Sequence, residues 1–334
     1  MSARSALRPR SEEPGVSDRF AEETDAHRRE LLVYCYRMLG SLHDAEDLVQ
    51  DTMLRAWRAR DSYDSERASM RTWLYRIATN ACLNALTSTQ RRVLPSELVE
   101  PASELEWPLP RRDEVAWLEP IPGALIADLP QDPAAVIAAR DSVRLAFVVA
   151  LQQLPARQRA VLILRDVLAI PAAEVAQTLG TSVASVTSAL QRARAQLARL
   201  SPAQATTTAP TDVEQRAIAE KYTQAFVAGD VAALTALMRS DVELEMPPFD
   251  TWYAGLATVS AFQASRVPPN RYRVRVIGVN ASVGIAAYRT DGSGGFAATQ
   301  IQHLTIEDGS ITRIVAFVDP DLFPLFGLPT VWPQ

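Results

Sequence analysis

A cluster of hydroxyl, amide and guanidinium side chains near residue 190 has the chemistry of a DNA-binding surface. Residues 173–197 read AEVAQTLGTSVASVTSALQRARAQL, which predicts two short helices that pivot on Gly180. Short hydroxyls can approach base edges, and guanidinium groups can bind the phosphates that flank a major groove. The predicted DNA contacts are Ser182, Ser185, Ser188, Arg192 and Arg194, which share an outward surface with Thr187 and Gln191.

The apolar residues of this segment predict how the two helices pack. Ala173, Val175, Ala176 and Leu179 form the predicted inner face of the first helix, and Val183, Val186, Leu190, Ala193 and Leu197 form that of the second. An ordinary helical hairpin with a solvated face has the same pattern. The segment by itself therefore leaves both interpretations open.

A second set of charged and polar residues lies in two helical segments nearer the N-terminus. The segment DAEDLVQDTMLRAW (44–57) predicts a helix whose outward face suits docking onto another charged protein. That face comprises Asp47, Gln50, Asp51, Arg55 and Arg58.

The segment RTWLYRIATNACLNAL (71–86) supplies cations and amides that can contact unpaired bases. The predicted contacts are Arg71, Arg76, Asn80 and Asn84, together with Tyr63 in the loop between the two helices. Trp73 and Tyr75 could stack on bases, but the apolar spacing favours core positions for Trp57 and Trp73.

The composition restricts the class of protein. The net charge is −5, yet residues 141–200 hold seven basic and three acidic side chains, so a local field can still attract phosphate. No apolar run of about 18 residues and no secretory signal pattern occurs, so we expect a cytoplasmic protein without a membrane partner. Cys35 and Cys82 lack partners at metal-ligand spacing and are expected in the core, with no metal and no cofactor.

Proline content and periodicity divide the chain into segments. A disordered tail (1–18) precedes an N-terminal helical bundle (19–92), an acidic, proline-rich linker (93–135) and a helix-turn-helix domain (136–200). A short linker (201–211) leads to a C-terminal domain (212–334). This last domain is predicted to be α+β, with helices over 212–228 and 230–239 followed by runs of alternating apolar residues. The fold class is thus multidomain, with two all-α domains followed by an α+β domain.

The chain closely resembles bacterial extracytoplasmic function (ECF) sigma factors in two ordered segments. YRMLGSLHDAEDLVQDTMLRAW and RTWLYRIATNACLNAL resemble region 2 of that family, and residues 151–197 resemble region 4. The resemblance implies that 44–58 docks on the clamp helices of the polymerase β′ subunit, that 61–84 captures the −10 element, and that 181–194 reads the −35 element. It also implies that region 4 meets the β flap and that the acidic linker threads through basic channels of the polymerase.

The C-terminal domain is similar to the SnoaL-like, NTF2-like cone fold. Some members of that fold are isomerases, and Tyr222 matches their tyrosine, but Met246 occupies the position of their carboxylate base. We therefore expect no catalytic residue here and a pocket for an unknown small ligand. The predicted lining residues are Tyr222, Met246, Phe249, Trp252 and His303, with Tyr253, Phe262 and Tyr288.

The sequence thus predicts a non-catalytic sigma factor that is regulated by its own third domain, within the subgroup that carries a SnoaL-like extension. One alternative is a stand-alone, ligand-responsive repressor; a second is a SnoaL-type enzyme with a DNA-binding appendage. The tail DPDLFPLFGLP (319–329) is apolar enough to need a partner, which is either its own cone or another domain.

Overall fold

A computed structural model of the protein describes residues 16–88, 90–105, 107–127, 140–200, 212–290, 292 and 294–333. The predicted tail therefore lies outside the described residues up to residue 15, as do residues 128–135 of the linker and the whole short linker. No described helix is long and apolar enough to cross a membrane.

The N-terminal bundle contains four helices, α1 (Val16–Asp25), α2 (Arg28–Leu39), α3 (Leu42–Arg58) and α4 (Met70–Ser88). Gly40 ends α2 in a left-handed conformation (φ 71°), and its N–H donates to the Tyr36 carbonyl. Ser41 then caps α3 by accepting from the Asp44 N–H at 3.1 Å. The thiols of Cys35 and Cys82 are both buried in this core, where burial, with neighbouring Cys82, raises the pKa of Cys35.

The helix-turn-helix domain follows a short helix at the end of the linker, α5 (Ala124–Ala127). It comprises α6 (Leu145–Gln152), α7 (Ala156–Leu162) with a π turn over Ile163–Val167, α8 (Ala172–Thr178) and α9 (Val183–Leu200). Gly180 adopts a left-handed conformation (φ 59°) in the turn between α8 and α9. The predicted pivot between the two short helices is confirmed.

The C-terminal domain has helices packed on one face of a six-stranded sheet. Its elements are α10 (Asp212–Ala228), α11 (Val231–Ala236), β1 (Met238–Glu245), β2 (Trp252–Ala254), α12 (Leu256–Arg266), β3 (Tyr272–Val279), β4 (Ser282–Thr290), β5 (Phe296–Glu307), β6 (Ser310–Phe317) and α13 (Leu322–Leu325). The strand order is β2-β1-β6-β5-β4-β3, with β1 and β6 parallel and the other neighbouring pairs antiparallel. The predicted fold class is confirmed.

The two faces of this sheet belong to different cores because successive residues of a strand point to opposite sides. The inner face packs against α10 and α12 and carries residues such as Ile285 and Leu304. The outer face, which includes Tyr288 and Ile301, belongs to one apolar core with both helical domains. The C-terminal domain is therefore packed against the rest of the chain.

The described part of the linker contacts the rest of the chain at several points, although many of its residues are exposed. It hydrogen-bonds to the C-terminal domain from Ala102 N to Trp252 O (2.9 Å), from Arg112 N to Pro248 O (3.0 Å) and from Gly123 N to Gly278 O (2.9 Å). At its other contact, Glu119 accepts from the N–H groups of Leu42 and His43 at 2.8 and 3.1 Å. The linker thus joins the start of α3 to the sheet.

Candidate nucleic-acid interface

The second helix of the helix-turn-helix, α9, presents a continuous polar face. Ser182 caps it by accepting from the Ser185 N–H at 3.2 Å, and the two hydroxyls lie 2.9 Å apart. Ser185, Ser188 and Arg192 follow at three- and four-residue steps, so they share one face, and all three are exposed. Val186, Leu190 and Ala193 are buried on the opposite side. This arrangement places hydroxyls and a cation on a surface that duplex DNA can approach.

Arg194 does not lie on that face. It is nine residues from Ser185, which is half a turn around the helix at about 3.6 residues per turn. Its guanidinium instead binds both carboxylate oxygens of Asp166 in the π turn, at 2.8 and 2.6 Å. The hydrogen bonds and charge of Asp166 raise the pKa of Arg194. The interpretation of Arg194 as part of the DNA face is corrected, because its guanidinium already binds the Asp166 carboxylate on another side of the helix.

The predicted inner faces of the two helices are also corrected at one position each. Ala173 and Val183 are exposed, whereas the other seven predicted inner residues are buried or half-buried. Both exceptions lie in the first turn of their helices, where the chain has not yet reached the packed interface.

Helix α4 of the N-terminal bundle presents the second candidate surface. Arg76, Asn80 and Asn84 are spaced by four residues, lie on one side of the helix and are exposed. At the start of the helix Trp73 is buried, as predicted, and the half-buried ring of Tyr63 lies 5.2 Å from it between centroids. This contact holds the preceding loop against α4.

Arg71 is turned away from this surface, because it precedes Arg76 by five residues and so points to another side of the helix. Its Nε donates to Glu30 Oε2 at 2.9 Å, and its guanidinium lies 5.1 Å from the Tyr75 ring centroid. Burial alone would raise the pKa of Glu30, but hydrogen bonds from His27 and Arg71 outweigh it and lower that pKa. The interpretation of Arg71 as a base contact is therefore corrected; the residue holds α4 against α2.

Helix α3 carries the predicted protein-docking face. Asp47, Gln50, Arg55 and Arg58 are exposed and Asp51 is half-buried, and all five fall within less than half of the helix circumference. Asp51 pairs with Arg55 at 2.7 Å. Sequence reasoning missed Leu54, which lies among them and is 46% exposed. It also placed Trp57 in the core, whereas Trp57 is 36% exposed at the edge of the bundle, with the Phe20 ring of α1 at 6.1 Å and the Arg60 guanidinium at 4.8 Å from its ring.

Comparisons with known proteins match three successive segments of the chain. The family model for sigma-70 region 2 matches residues 24–92, that for sigma-70 region 4 matches 144–197, and that for the SnoaL-like domain matches 219–314. The chain is 45% identical over 314 residues to the ECF RNA polymerase sigma factor SigG of Mycobacterium tuberculosis, covering 93% of this chain and 84% of that protein. The chain belongs to the ECF sigma factor family.

A solved structure agrees with this assignment. The crystal structure of the Mycobacterium tuberculosis ECF sigma factor SigJ superimposes with a TM-score of 0.60 and 26% identity, covering 92% of this chain and 99% of that one. SigJ is also 28% identical in sequence over 318 residues, 90% of this chain and 92% of that protein. As an ECF sigma factor, the protein binds core RNA polymerase and directs promoter recognition and transcription initiation.

In the SnoaL-like domain of this sigma factor, the predicted pocket residues do not all meet. Tyr222 and Met246 are buried in the inner core with Tyr253 and Phe262. The Tyr222 hydroxyl donates to Gln302 Oε1 at 3.0 Å, and burial raises its pKa. Phe249 pairs with Arg111 of the linker, and Trp252 donates from Nε1 to Val99 O at 2.9 Å. The linker thus pairs with the backbone of Phe249 and accepts a hydrogen bond from the Trp252 ring.

His303 lies on the opposite side of the sheet from Tyr222. It follows Gln302, whose side chain bonds to Tyr222, so strand alternation directs it to the outer face, where Tyr288 also lies. Burial, with the charges of Arg313 and Arg144 acting in the same direction, lowers the pKa of His303 to about 3. The prediction that His303 and Tyr288 line the same pocket as Tyr222 is wrong.

A cleft of about 330 Å³ lies elsewhere, between the end of the linker, α10 and the β3–β4 hairpin. None of the predicted lining residues borders it, so a small ligand for this domain stays a prediction. The described residues contain no group of three or more His, Cys, Asp or Glu side chains that could hold a metal ion.

The residues that join the domains were missed by sequence reasoning. Asn280, in the turn between β3 and β4, is fully buried with a positive φ of 49°. Its Nδ2 donates to Tyr36 Oη of the N-terminal bundle and to Val143 O ahead of α6, both at 2.8 Å. Its Oδ1 accepts from Ile121 N of the linker at 3.1 Å. An asparagine between two strands signals only a turn in the sequence, which is why its partners could not be read there.

Proposed function

We propose that the exposed face of α3 docks on the β′ clamp helices of core RNA polymerase. The face combines carboxylates, guanidinium groups and the exposed side chain of Leu54, and no described residue of the chain covers it. An apolar side chain surrounded by charges of both signs suits a protein partner, because the apolar contact supplies affinity and the charges fix the register.

The proposed −10 contacts are Arg76, Asn80 and Asn84 of α4, with Tyr63 at the loop that precedes the helix. Amide groups can hydrogen-bond the edges of unpaired bases, and Arg76 can bind the backbone of the same strand. Tyr63 contacts Trp73 with one face and is only half-buried. Part of the Tyr63 ring therefore remains exposed and can stack on a base.

The proposed −35 contacts are Ser182, Ser185, Ser188 and Arg192 of the α9 surface. The Ser182 hydroxyl caps α9 and so orients the helix at the DNA surface. Ser185 and Ser188 approach base edges, and Arg192 binds phosphate. The β flap is the proposed polymerase contact of the same domain.

The C-terminal domain is proposed to regulate the sigma factor by holding its two DNA-binding domains together. The −10 and −35 elements are separated by roughly 25 base pairs, or about 85 Å at about 3.4 Å per base pair. Here the two domains touch, because Thr72 of α4 donates to Glu174 of α8 at 3.0 Å. Both elements can be bound at once only after this contact has opened.

The interaction network at the junction carries this proposal. Asn280 bonds the N-terminal bundle, the linker and the helix-turn-helix domain at once, so the turn of one domain is a common partner of three segments. Between the two helical domains, buried Arg159 of α7 donates to the carbonyl of Met38 at the end of α2, and within its own domain it donates to Gln152 Oε1 at 2.6 Å. Burial lowers the pKa of Arg159 to about 10. If the domains separated, the buried donors and acceptors that these side chains bind would lose their hydrogen bonds.

No catalytic activity is proposed for the C-terminal domain. Met246 cannot accept a proton, and the buried Tyr222 hydroxyl is engaged by Gln302. Leu322 and Phe323 of the apolar tail are buried in the core that the outer face shares with both helical domains, and the Phe323 ring lies 4.9 Å from that of Tyr288. A bridging role for the tail stays a prediction.

The polymerase contact is tested by charge reversal in pull-downs with core enzyme. Asp47→Lys with Asp51→Lys should abolish binding, while Glu22→Lys with Glu23→Lys, two exposed acids of α1, should retain it. Full binding by the first variant would move the interface elsewhere. Sequence-specific binding of the wild-type chain to one duplex site in the absence of polymerase would favour the stand-alone repressor.

The regulatory role is tested by Asn280→Ala in run-off transcription. The template is a promoter identified by sequencing the transcripts that the reconstituted holoenzyme makes from chromosomal DNA. Loss of three hydrogen bonds to buried partners, at about 1–3 kcal/mol for a group left unsatisfied, should favour the open arrangement and raise the transcript yield at least about fivefold at limiting polymerase.

The matched control is Asn270→Ala, since Asn270 also has a positive φ (60°) but is exposed in a turn of the same domain. Transcription should not change in this variant. Equal yields from the two variants, with both folded, would contradict regulation through the junction.

A further inference from the structure

Three arginines lie in a row on one face of the edge strand β3. Arg273 and Arg275 belong to the strand and Arg271 directly precedes it, so alternation directs all three to the outer face. Tyr272, Val274 and Val276, between and after them, pack in the inner core. All three arginines are exposed, and β3 is the last strand of the sheet.

The charges of this row are not neutralised within the described part of the chain. None of the three guanidinium groups has a carboxylate within salt-bridge distance among the described residues, whereas Arg216 and Arg239 of the same domain pair with Glu220 and Asp241 at 3.4 and 2.6 Å. Residues 201–334 hold nine basic and 13 acidic side chains. The row is therefore a positive strip on a domain that is acidic as a whole.

Aromatic rings support two of these guanidinium groups. Arg273 lies 4.7 Å from the Phe296 ring centroid, and Arg275 lies 5.5 Å from that of Trp332. The backbone N–H of Trp332 donates to Phe296 O at 2.8 Å, and its ring lies 5.1 Å from that of Tyr288. A guanidinium held near a ring can still donate hydrogen bonds to an anion and loses less conformational freedom when it binds one.

The strip begins close to the two DNA-binding domains. Strand β3 ends at Val279, beside Asn280 and its contacts with both helical domains. At about 3.3 Å per residue, Arg275 lies about 13 Å and Arg271 about 26 Å along the strand from Val279. The strip thus extends outward from the junction at which the three domains meet.

We propose that Arg271, Arg273 and Arg275 bind the phosphate backbone of duplex DNA held by the other two domains. The partner is a polyanion because the strip carries one sign of charge, and guanidinium groups match phosphate oxygens in bidentate geometry. Duplex DNA is favoured over other polyanions because the same chain already engages it. The SnoaL-like domain thereby contributes sequence-independent affinity to a sigma factor whose reading surfaces are small.

The experiment measures binding of the full chain to a duplex of arbitrary sequence, about 40 base pairs long, by fluorescence anisotropy between about 50 and 200 mM NaCl. Each phosphate contact contributes about 0.9 to the slope of log K against log salt concentration. Arg271→Gln with Arg273→Gln should therefore lower the magnitude of the slope by about 2. Arg271→Lys with Arg273→Lys, which keeps both charges, should retain it.

The matched control is Arg216→Gln with Arg239→Gln, which changes the net charge equally but removes arginines that are already paired. Thermal unfolding checks that each variant is folded. An unchanged slope in the strip variant, or an equal fall in the control, overturns the proposal. So does loss of binding to phosphatidylglycerol vesicles with an unchanged DNA slope, which would indicate a lipid partner. Self-association with an unchanged slope would mean that the arginines only protect the sheet edge.

Discussion

At the scale of single residues, two arginines of one helix differ only in the side on which they lie. Arg192 is exposed beside Ser185 and Ser188, whereas the guanidinium of Arg194 donates to both carboxylate oxygens of Asp166. Arg192→Gln should lower the magnitude of the salt slope of duplex binding by about 0.9, because one phosphate contact is lost, while Arg194→Gln should leave the slope unchanged. Anisotropy titrations in a salt series check both variants. Equal falls would mean that Arg194 leaves Asp166 for the phosphate backbone.

His303 is a second residue whose position decides its chemistry. Burial lowers its folded pKa to about 3, below the unfolded value of about 6.5, so it stabilises the fold only above that unfolded value. As the pH falls below about 6.5, the unfolded chain binds a proton at His303 that the folded chain does not bind. The free energy of unfolding therefore falls by about 2 kcal/mol by pH 5. His303→Gln should lose correspondingly less free energy of unfolding between pH 7 and 5 in urea titrations. An identical loss in wild type and variant would contradict this origin.

At the scale of elements, the start of α3 is capped by a residue far away in the linker. Burial alone would raise the pKa of Glu119, but the His43 hydrogen bond and the charge of Arg92 outweigh it and lower that pKa. The carboxylate bonds two N–H groups of the first turn, where the helix dipole favours a negative charge. Glu119→Ala should cost about 1–2 kcal/mol in urea unfolding.

The pH dependence of this cap follows from the direction in which the pKa of Glu119 is shifted. Because the folded pKa of Glu119 lies below the unfolded value of about 4.3, its contribution is present above that value and is lost as the pH falls through the folded pKa. The difference between wild type and Glu119→Ala should therefore be full at pH 6 and shrink below about pH 4. Glu100→Ala, at an exposed position of the linker, should show no such difference.

At the scale of the whole molecule, the spacing of the promoter elements requires a change of arrangement. Labels on cysteines introduced at Thr87 and Arg199, which are exposed near the ends of α4 and α9, report the separation of the two helical domains. The native cysteines are fully buried and should not react. Energy transfer should be high in the free chain and fall in the complex with polymerase and promoter, where the elements lie about 85 Å apart. Unchanged transfer in that complex would contradict opening.

The sequence determined the elements and the family. Helix 212–228 was predicted and is observed as Asp212–Ala228, the pivot at Gly180 is confirmed, and the strand-like runs form five of the six strands. The short strand β2 was missed because three residues are too few for a period. Periodicity succeeds because burial of one face is a local requirement that each helix or strand meets along its own length.

The tertiary structure decided which polar groups remain available and how the domains meet. Arg71 and Arg194 could be separated from their neighbours by counting around the helix, but their partners, Glu30 and Asp166, are 41 and 28 residues away. Glu119 reaches Leu42 across 77 residues, and Asn280 reaches Tyr36 across 244. Such pairings are set by how whole faces pack and by the need to satisfy every buried polar group, conditions that involve all domains at once and leave no periodic trace in the chain.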